Sequence, residues 1–557
     1  MSASARFRNL APKTASASVA DAAPVDGANG AGEVIHHSWC RGARTRSWRA
    51  AVRPAQPMVT GTASGHDCDA VVVGGGPAGA AAAARLAARG FTTIVVDRAT
   101  FPRDKVCGDF VGPAALAELA DLGVTGTEAF GATNKIGGGA LHVDGDTLAA
   151  RPLPQVDGLP PYGRVIPRLQ LDAWVLDSAR RAVATVLDGR KVTVVEQASG
   201  AVTVQGHSAA GPWQFRTRLL LGADGSNSMI ARALRGSPPP RQDRILAVRA
   251  YFEDVGGPAD QGDIYVCGDS FPGYCWLFPA GGARANVGVG MLHSTYPQTS
   301  RNLRELLLHL IAEDTALRHR LRGARMRGKV LGCPLTTYNP WLPLVGDRQM
   351  LLGDAAGLIN PLNGEGIQYA LQSARWAADV ASDCLSSNRL DAVSLESYER
   401  WVHRSLRQDM AFSRLIVQLI RNRNLNPLWL QALRIIAARA RSDPDYANRI
   451  GCVLTGLTPV TSTLGLSVVA RTAEQAIVSA RPGTAWRRFG RRSGSTGPAL
   501  YISRRSIGAT ATSASTAQLV DWAAGAGRAL AELTTQVIYA KVTPDLADPA
   551  SRPSAGP

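Results

Sequence analysis

The sequence predicts an α/β fold in which a mostly parallel sheet is interrupted by an antiparallel one and followed by helices. Three observations predict it. A short apolar run, Cys68 to Val73, passes through Gly74, Gly76 and Gly79 into an Ala-rich helix, and then into a second apolar run, Thr92 to Val96. Residues Ile245 to Leu292 alternate with period two, as antiparallel strands do. From Ala392 onward the apolar residues recur at helical spacing.

The glycine turn carries the first chemistry. Gly74 permits the tight turn after the strand, and Gly76 lets a pyrophosphate approach the backbone. Gly79 lets the helix, expected over Ala80 to Arg89, pack close to the sheet. Pro77 and Ala78 complete the turn, and the helix N-terminus faces the phosphates. Asp97, which ends the second strand with Arg98 beside it, is placed 18 residues after Gly79 to accept hydrogen bonds from ribose hydroxyls. A packing helix after a plain glycine turn needs no acid at that position. The pattern is therefore a Rossmann-like dinucleotide site.

Two further strand ends decide which dinucleotide. Leu219 to Gly222 runs into Ala-Asp224-Gly225-Ser226, and Met350 to Leu352 runs into Gly353-Asp354. The second is followed by Gly364-Glu-Gly366-Ile367 and a helix expected over Gln368 to Asp379. An aspartate at such a strand end binds ribitol or ribose hydroxyls, and the next helix N-terminus offers donors to the anionic end of a flavin. One Gly-Asp is an ordinary turn; three motifs spaced along one chain are not.

With these residues on view, the chain resembles the geranylgeranyl reductase type of flavoprotein, within the para-hydroxybenzoate hydroxylase-like fold. The resemblance runs from about Asp67 to about Tyr398. It rests on Lys105-Val-Cys107-Gly108-Asp109, on Arg168 with Asp172, on Gly273-Tyr274-Cys-Trp276-Leu-Phe278-Pro279, on Asn286-Val-Gly288-Val-Gly290, and on the stretch from Gly353 to Ser373. It implies FAD as cofactor, Cys107 and Gly108 near the flavin ring, and Arg168 as an FAD contact; on sequence alone Arg168 is a surface arginine. Beside Lys105 and in a Gly-bounded turn, the Cys107 thiol is expected to have a depressed pKa and to act as proton donor or flavin-facing group. Two departures matter. Gly357 stands where oxygen-using relatives carry histidine, and Ala280 stands where prenyl-diphosphate enzymes often carry lysine.

Tyr274, Trp276 and Phe278 alternate along one strand and so share a face. In this fold that sheet roofs the substrate cavity, and flat rings suit an apolar or isoprenoid chain; ordinary core packing explains them equally well. A related halogenase motif has two tryptophans, and Tyr274 argues against that branch. Helices are expected over Asn302 to Arg322, Ala392 to Val417 and Asn426 to Arg441. His309 and His319 have no ligand-spaced partners and are taken as non-catalytic.

Composition bounds the rest. The 557 residues carry 61 Lys+Arg against 44 Asp+Glu, a formal net charge of +17, with 45% hydrophobic residues. This is globular composition, neither disordered throughout nor collagen-like. The eight cysteines contain no CxxC pair, which argues against a disulfide scaffold or zinc ribbon and suits a reducing, cytoplasmic compartment. No apolar run reaches the roughly 18 residues needed to cross a bilayer. Much of the positive charge lies at the ends. Residues 1–65 hold eight basic against three acidic side chains in an Ala/Ser/Gly/Pro-rich stretch expected to be disordered. A start at Met58 is preferred to an organelle transit peptide. Residues 481–557 form a basic tail, with a weakly amphipathic helix over Ala517 to Val542. Such a tail is either solvated or held at an anionic membrane surface. No nucleic-acid motif accompanies the charge.

The expected domains are FAD-binding (66–130, 166–235 and 346–385), substrate (131–165 and 236–345) and helical (386–480). The expected function is reduction of carbon–carbon double bonds in a prenyl-lipid or other apolar polyene by hydride from reduced flavin. NADPH, a ferredoxin or a quinol would supply the electrons. Two alternatives stand beside it: a monooxygenase of a terpenoid, aromatic or polyketide metabolite, and a flavin-binding cyclase or carrier for a polyene. Oligomeric state is not legible.

Overall fold

A computed structural model describes residues 66–198, 200–295, 302–457, a few residues between 468 and 476, and 516–542. The expected N-terminal extension, Met58 and the arginines from Arg487 to Arg505 lie outside the described residues.

The strand Cys68–Val73 forms the centre of an eight-stranded sheet. It pairs in parallel with Gly211–Gly222 on one side and Thr93–Val96 on the other. Gln349–Leu351 and Thr185–Leu187 extend the parallel set outward. Val71, Val72, Val95 and Val96 are almost wholly buried, which explains the unbroken apolar runs: both faces of these strands are covered. The hairpin of Lys191–Ala198 and Ala201–Ser208 lengthens Gly211–Gly222 antiparallel at its far end.

The first helix is Pro77–Ala88, three residues earlier at its start than expected. Pro77 occupies the first helical turn, where its missing N–H costs nothing, so Pro77, Ala78 and Gly79 already belong to the helix. Ala78 and Ala80 to Ala84 are buried, and their small size lets it pack against helices Arg168–Arg181 and Ile367–Ser386.

A seven-stranded sheet stands apart, in the order Arg325–Thr336, Arg244–Glu253, Arg284–Leu292, Tyr274–Gly281, Gln261–Val266, Gly138–Val143 and Asp146–Pro152. It is antiparallel as expected except for one parallel pair, Gln261–Val266 with Gly138–Val143, where two separate chain segments meet. A small sheet of Phe110–Val111, Gly163–Val165 and Asn134–Ile136 accompanies it.

One face of the large antiparallel sheet buries Cys275, Leu277, Val287 and Val289 against Leu306, Leu307 and Leu310 of helix Leu303–Glu313. The single helix expected over Asn302 to Arg322 is instead two, Leu303–Glu313 and Thr315–Arg320. Asp314 breaks it by adopting extended backbone and accepting from the Leu317 N–H, a cap that outcompetes continuation. The other face receives the C-terminal helices Ala392–Ile420 and Asn426–Ser442, through Val417, Ile420, Trp429, Leu430 and Leu433. The helix Thr516–Val542 docks on Ala392–Ile420: Trp522 Nε1 donates to the Leu419 carbonyl at 2.9 Å, and Arg421 pairs with Asp521 at 3.0 Å. That segment is held against the protein here. Among the described residues no helix is long and apolar enough to cross a membrane, no cluster suits a metal ion, and the seven cysteines are free thiols.

Candidate functional site

The glycine turn is built as its spacing requires. Gly74 has φ +107°, and a Cβ there would fall 2.2 Å from the Ala223 carbonyl oxygen. A Cβ on Gly79 would fall 1.9 Å from the Gly74 carbonyl oxygen, so the helix reaches the strand only without one. Gly76 differs: a Cβ there meets only Arg103 Nη2 at 3.4 Å and Asp172 Oδ2 at 4.0 Å. Its neighbourhood is an open cradle between a helix N-terminus and a guanidinium, the surroundings a pyrophosphate needs. FAD therefore fits these residues. Arg103 carries no motif signal in the sequence, and only the fold brings it here.

Asp97 lies where expected, but its carboxylate also organises the turn. Oδ2 accepts the Gly75 N–H at 2.7 Å and Oδ1 accepts the Ala99 N–H at 2.8 Å. Arg98 beside it is exposed. Asp224 turns back into its own segment, accepting from Ser228 Oγ and, at 2.7 Å, from the Met229 N–H that begins helix Met229–Arg235. Burial raises its carboxyl against those bonds.

Asp354 sits at the start of a short helical turn, Gly353–Ala356, with Gly353 pressed against Ala78 of the first helix. Its Oδ2 accepts from Lys105 Nζ at 2.9 Å and from Ser226 Oγ at 3.4 Å. Burial works to raise this carboxyl, but the Lys105 ion pair and hydrogen bond, with Arg168 beyond, outweigh it and hold it below the usual range. Gly366 precedes helix Ile367–Ser386, longer than expected at both ends. A Cβ on Gly366 would meet Asp354 Oδ1 at 3.4 Å, so the Asp354 carboxylate and this helix N-terminus adjoin. Glu365 lies there too: its Oε1 accepts the Gln368 N–H at 3.2 Å, and burial pushes it up to about 7 against those backbone donors.

Arg168 is not a surface residue. It opens helix Arg168–Arg181, is 3% exposed, and makes a two-pronged ion pair with Asp172 at 2.6 and 2.8 Å. Arg103 shares Asp172 Oδ2 at 2.8 Å. A residue so paired is buried because its charge is answered on the spot.

Cys107 corrects the expectation made from its neighbours. Burial pushes the thiol up, and Asp109 adds to this; Arg168 and Lys105 only partly oppose it. Burial thus keeps it a protonated thiol at neutral pH, and the two cations that oppose this are also engaged elsewhere: Arg168 with Asp172, Lys105 with Asp354.

The aromatic stripe does share one face. Trp276 packs between Tyr274 and Phe278 with ring centroids 6.2 and 6.4 Å apart, and Phe278 lies 5.5 Å from Phe110. The indole spreads over Gly288 on the next strand, where a Cβ would fall 2.3 Å from Cζ2. The stripe faces the Cys107 turn: a Cβ on Gly108 would lie 3.2 Å from Phe278 and 3.4 Å from Trp276 Nε1. Tyr274 donates its hydroxyl to the Asn363 carbonyl, joining the sheet to the loop before helix Ile367–Ser386.

Asn286 was singled out only as part of a motif, and it proves to be the join. Its Nδ2 donates to the Cys107 carbonyl at 2.8 Å and to Asp109 Oδ2 at 2.9 Å, while its Oδ1 accepts from Trp276 Nε1 at 3.0 Å. Tyr251 donates to the same Asp109 oxygen at 2.6 Å, and Arg249, 2% exposed, bonds both oxygens of Asp104 at 2.6 Å. Same-face spacing on strand Arg244–Glu253 was the available signal for Arg249 and Tyr251.

Comparisons with known proteins bear on the family and the fold. The FAD binding domain family matches residues 67–306. A menaquinone reductase of Mycobacterium tuberculosis is 36% identical over 334 residues, covering 56% of this chain and 76% of that protein. A digeranylgeranylglycerophospholipid reductase of Methanopyrus kandleri is 30% identical over 349 residues, covering 60% and 85% respectively. Among solved structures, a geranylgeranyl bacteriochlorophyll reductase-like protein from Thermoplasma acidophilum superposes with a TM-score of 0.59 at 22% identity, covering 73% of this chain and 96% of that one, a likeness of fold. With a mixed α/β fold, a glycine cradle and an aspartate at each end of it, the chain belongs to the geranylgeranyl reductase-like family of FAD-dependent oxidoreductases.

Proposed function

We propose that this protein saturates carbon–carbon double bonds of a prenyl-type or otherwise apolar polyene. The observation that carries this is the apposition of Trp276 and Phe278, on the aromatic face shared with Tyr274, to the Cys107–Gly108 turn, at 3.2 to 3.4 Å from a Gly108 Cβ position. An apolar wall and a protonated thiol then meet at the flavin end of the cradle. The names of the relatives, a menaquinone reductase and a digeranylgeranylglycerophospholipid reductase, support the substrate class.

Reduced FAD, when bound, supplies the hydride for one alkene carbon. The chain's own residues do the rest. Gly76, Arg103 and the first turn of helix Pro77–Ala88 hold the pyrophosphate, and Asp97 and Asp354 hold the hydroxyl-bearing portions on either side. Arg168, Gly366 and Ile367 bound the flavin end. Trp276 and Phe278 orient the alkene by stacking area, and the C-terminal helices close the apolar face against water. The Cys107 S–H gives its proton to the second alkene carbon and is restored from solvent. Electrons come from NADPH or a ferredoxin. Because prenyl lipids partition into bilayers, the protein works at a membrane surface.

The test is anaerobic incubation of the reduced holoenzyme with a geranylgeranylated lipid, followed by mass spectrometry. A product heavier by pairs of hydrogens is expected. Product that appears only in air and carries added oxygen would make the protein a monooxygenase. An isomer of unchanged mass formed with oxidised flavin would make it a cyclase.

A further inference from the structure

Asp109 is a fully buried carboxylate beside the Cys107 turn, and Cys107 as proton donor gives it nothing to do. It is 0% exposed and adopts φ +63°, a left-handed conformation that aspartate takes more readily than most non-glycine residues. Its own N–H donates to Cys107 Sγ at 3.3 Å. One carboxylate oxygen takes both Tyr251 Oη at 2.6 Å and Asn286 Nδ2 at 2.9 Å. The other, Oδ1, has no hydrogen-bond partner among the described residues. A fully buried oxygen without a donor is costly to keep. Plain structural need is met by the first oxygen alone, so the second calls for a reason.

That reason lies two residues away. We propose that Asp109 is a positioning residue for Cys107: it fixes the thiol against the aromatic face through its own N–H and through Asn286, and its buried negative charge keeps that thiol protonated between turnovers. This rests on Cys107 being the proton donor. A like charge beside a thiol disfavours the thiolate, so the proton stays in place until a substrate carbon takes it, and a thiolate left by turnover is quickly reprotonated.

The groups facing Asp109 come from four elements. The charged and titratable ones are Cys107 and Lys105 on its own segment, Arg249 and Tyr251 on strand Arg244–Glu253, and Arg168 on helix Arg168–Arg181, and the fourth element, strand Arg284–Leu292, contributes the neutral donor Asn286. Burial pushes Asp109 up to about 6 against the Tyr251 and Asn286 hydrogen bonds and the Arg249 and Arg168 charges. Above that pH the carboxylate is ionised and restrains the thiol; below it the restraint is released.

The test is the pH profile of Cys107 alkylation by iodoacetamide in the FAD-loaded protein, read peptide by peptide with mass spectrometry. In Asp109→Asn the midpoint is expected to fall by about one pH unit, which raises the alkylation rate at neutral pH roughly tenfold. An unchanged midpoint in FAD-loaded Asp109→Asn overturns the proposal. Should that variant fail to fold or to hold FAD, Tyr251→Phe serves instead. It removes one donor to the carboxylate, so the inflection that Asp109 ionisation places in the wild-type profile near pH 6 is expected to move upward, and a fixed inflection overturns the proposal. Turnover of Cys107→Ser separately tests whether Cys107 is the donor, so failure there is told apart from failure of the Asp109 assignment.

Discussion

The Asn286 side-chain amide donates to the Cys107 carbonyl oxygen at 2.8 Å across a sequence separation of 179 residues. This bond ties the antiparallel sheet to the turn beneath it, and the same amide receives Trp276 and donates to Asp109. Replacing Asn286 with Leu strands the indole N–H and the Cys107 carbonyl in a dry interior. Each unmet group costs about 1–3 kcal/mol, so we expect at least about 2 kcal/mol of lost stability in urea unfolding of the holoprotein. A loss within about 0.5 kcal/mol would mean the join is ornamental.

Asp354→Ala removes the oxygen that Lys105 answers and the hydroxyl acceptor proposed for FAD. Loss of a charged acceptor predicts at least about tenfold weaker flavin binding. The ratio of flavin to protein absorbance after purification checks it; unchanged occupancy would count against the contact.

Cys107→Ser should leave flavin content intact and lower turnover by about 10²-fold, the scale of a lost general acid. A serine hydroxyl is far too weak an acid to replace the thiol. Turnover equal to wild type would return Cys107 to a packing role.

Two alanine substitutions in one turn should differ in kind. Gly79→Ala drives a Cβ to 1.9 Å from a backbone oxygen, and we expect failure to fold or a loss of several kcal/mol. Gly76→Ala meets nothing nearer than 3.4 Å, so the protein should fold normally yet bind FAD poorly, because the methyl group occupies the pyrophosphate's place. Full FAD occupancy in Gly76→Ala would place the phosphates elsewhere.

Glu365 sets a pH dependence. Burial raises its folded-state pKa to about 7 from 4.5, so between those values the folded protein holds more protons than the unfolded chain. Stability contributed by this group is present below pH 4.5 and lost as pH rises through about 7. Glu365→Gln, neutral throughout, should therefore gain on wild type as pH climbs from 5 to 8. Chemical denaturation at the two pH values measures it, and parallel behaviour of the two proteins would show that Glu365 keeps an ordinary pKa.

Much of the cofactor half was legible because its rules are local. The strand Cys68–Val73 was read to the residue, and the glycine spacing and Asp97 followed from what a phosphate turn demands of neighbouring backbone. The shared face of Tyr274, Trp276 and Phe278 followed from strand period alone. Where local signals competed, the reading slipped: Asp314 caps a new helix inside an apolar periodicity that continues past it.

Sequence by itself determined the order of elements, the dinucleotide turn and the family, all of which depend on residue type and spacing along the chain. Tertiary structure alone decided burial, and burial decided charge. Arg168 became an interior ion-pair partner, Arg103 came to face Gly76, and Cys107 became a protonated thiol because burial outweighs Lys105 and Arg168, which also pair with Asp354 and Asp172. Asp109, Tyr251 and Asn286 meet across separations of 142 and 177 residues, and no periodicity encodes such contacts. They exist because two sheets close over one turn, where water no longer screens one charge from another.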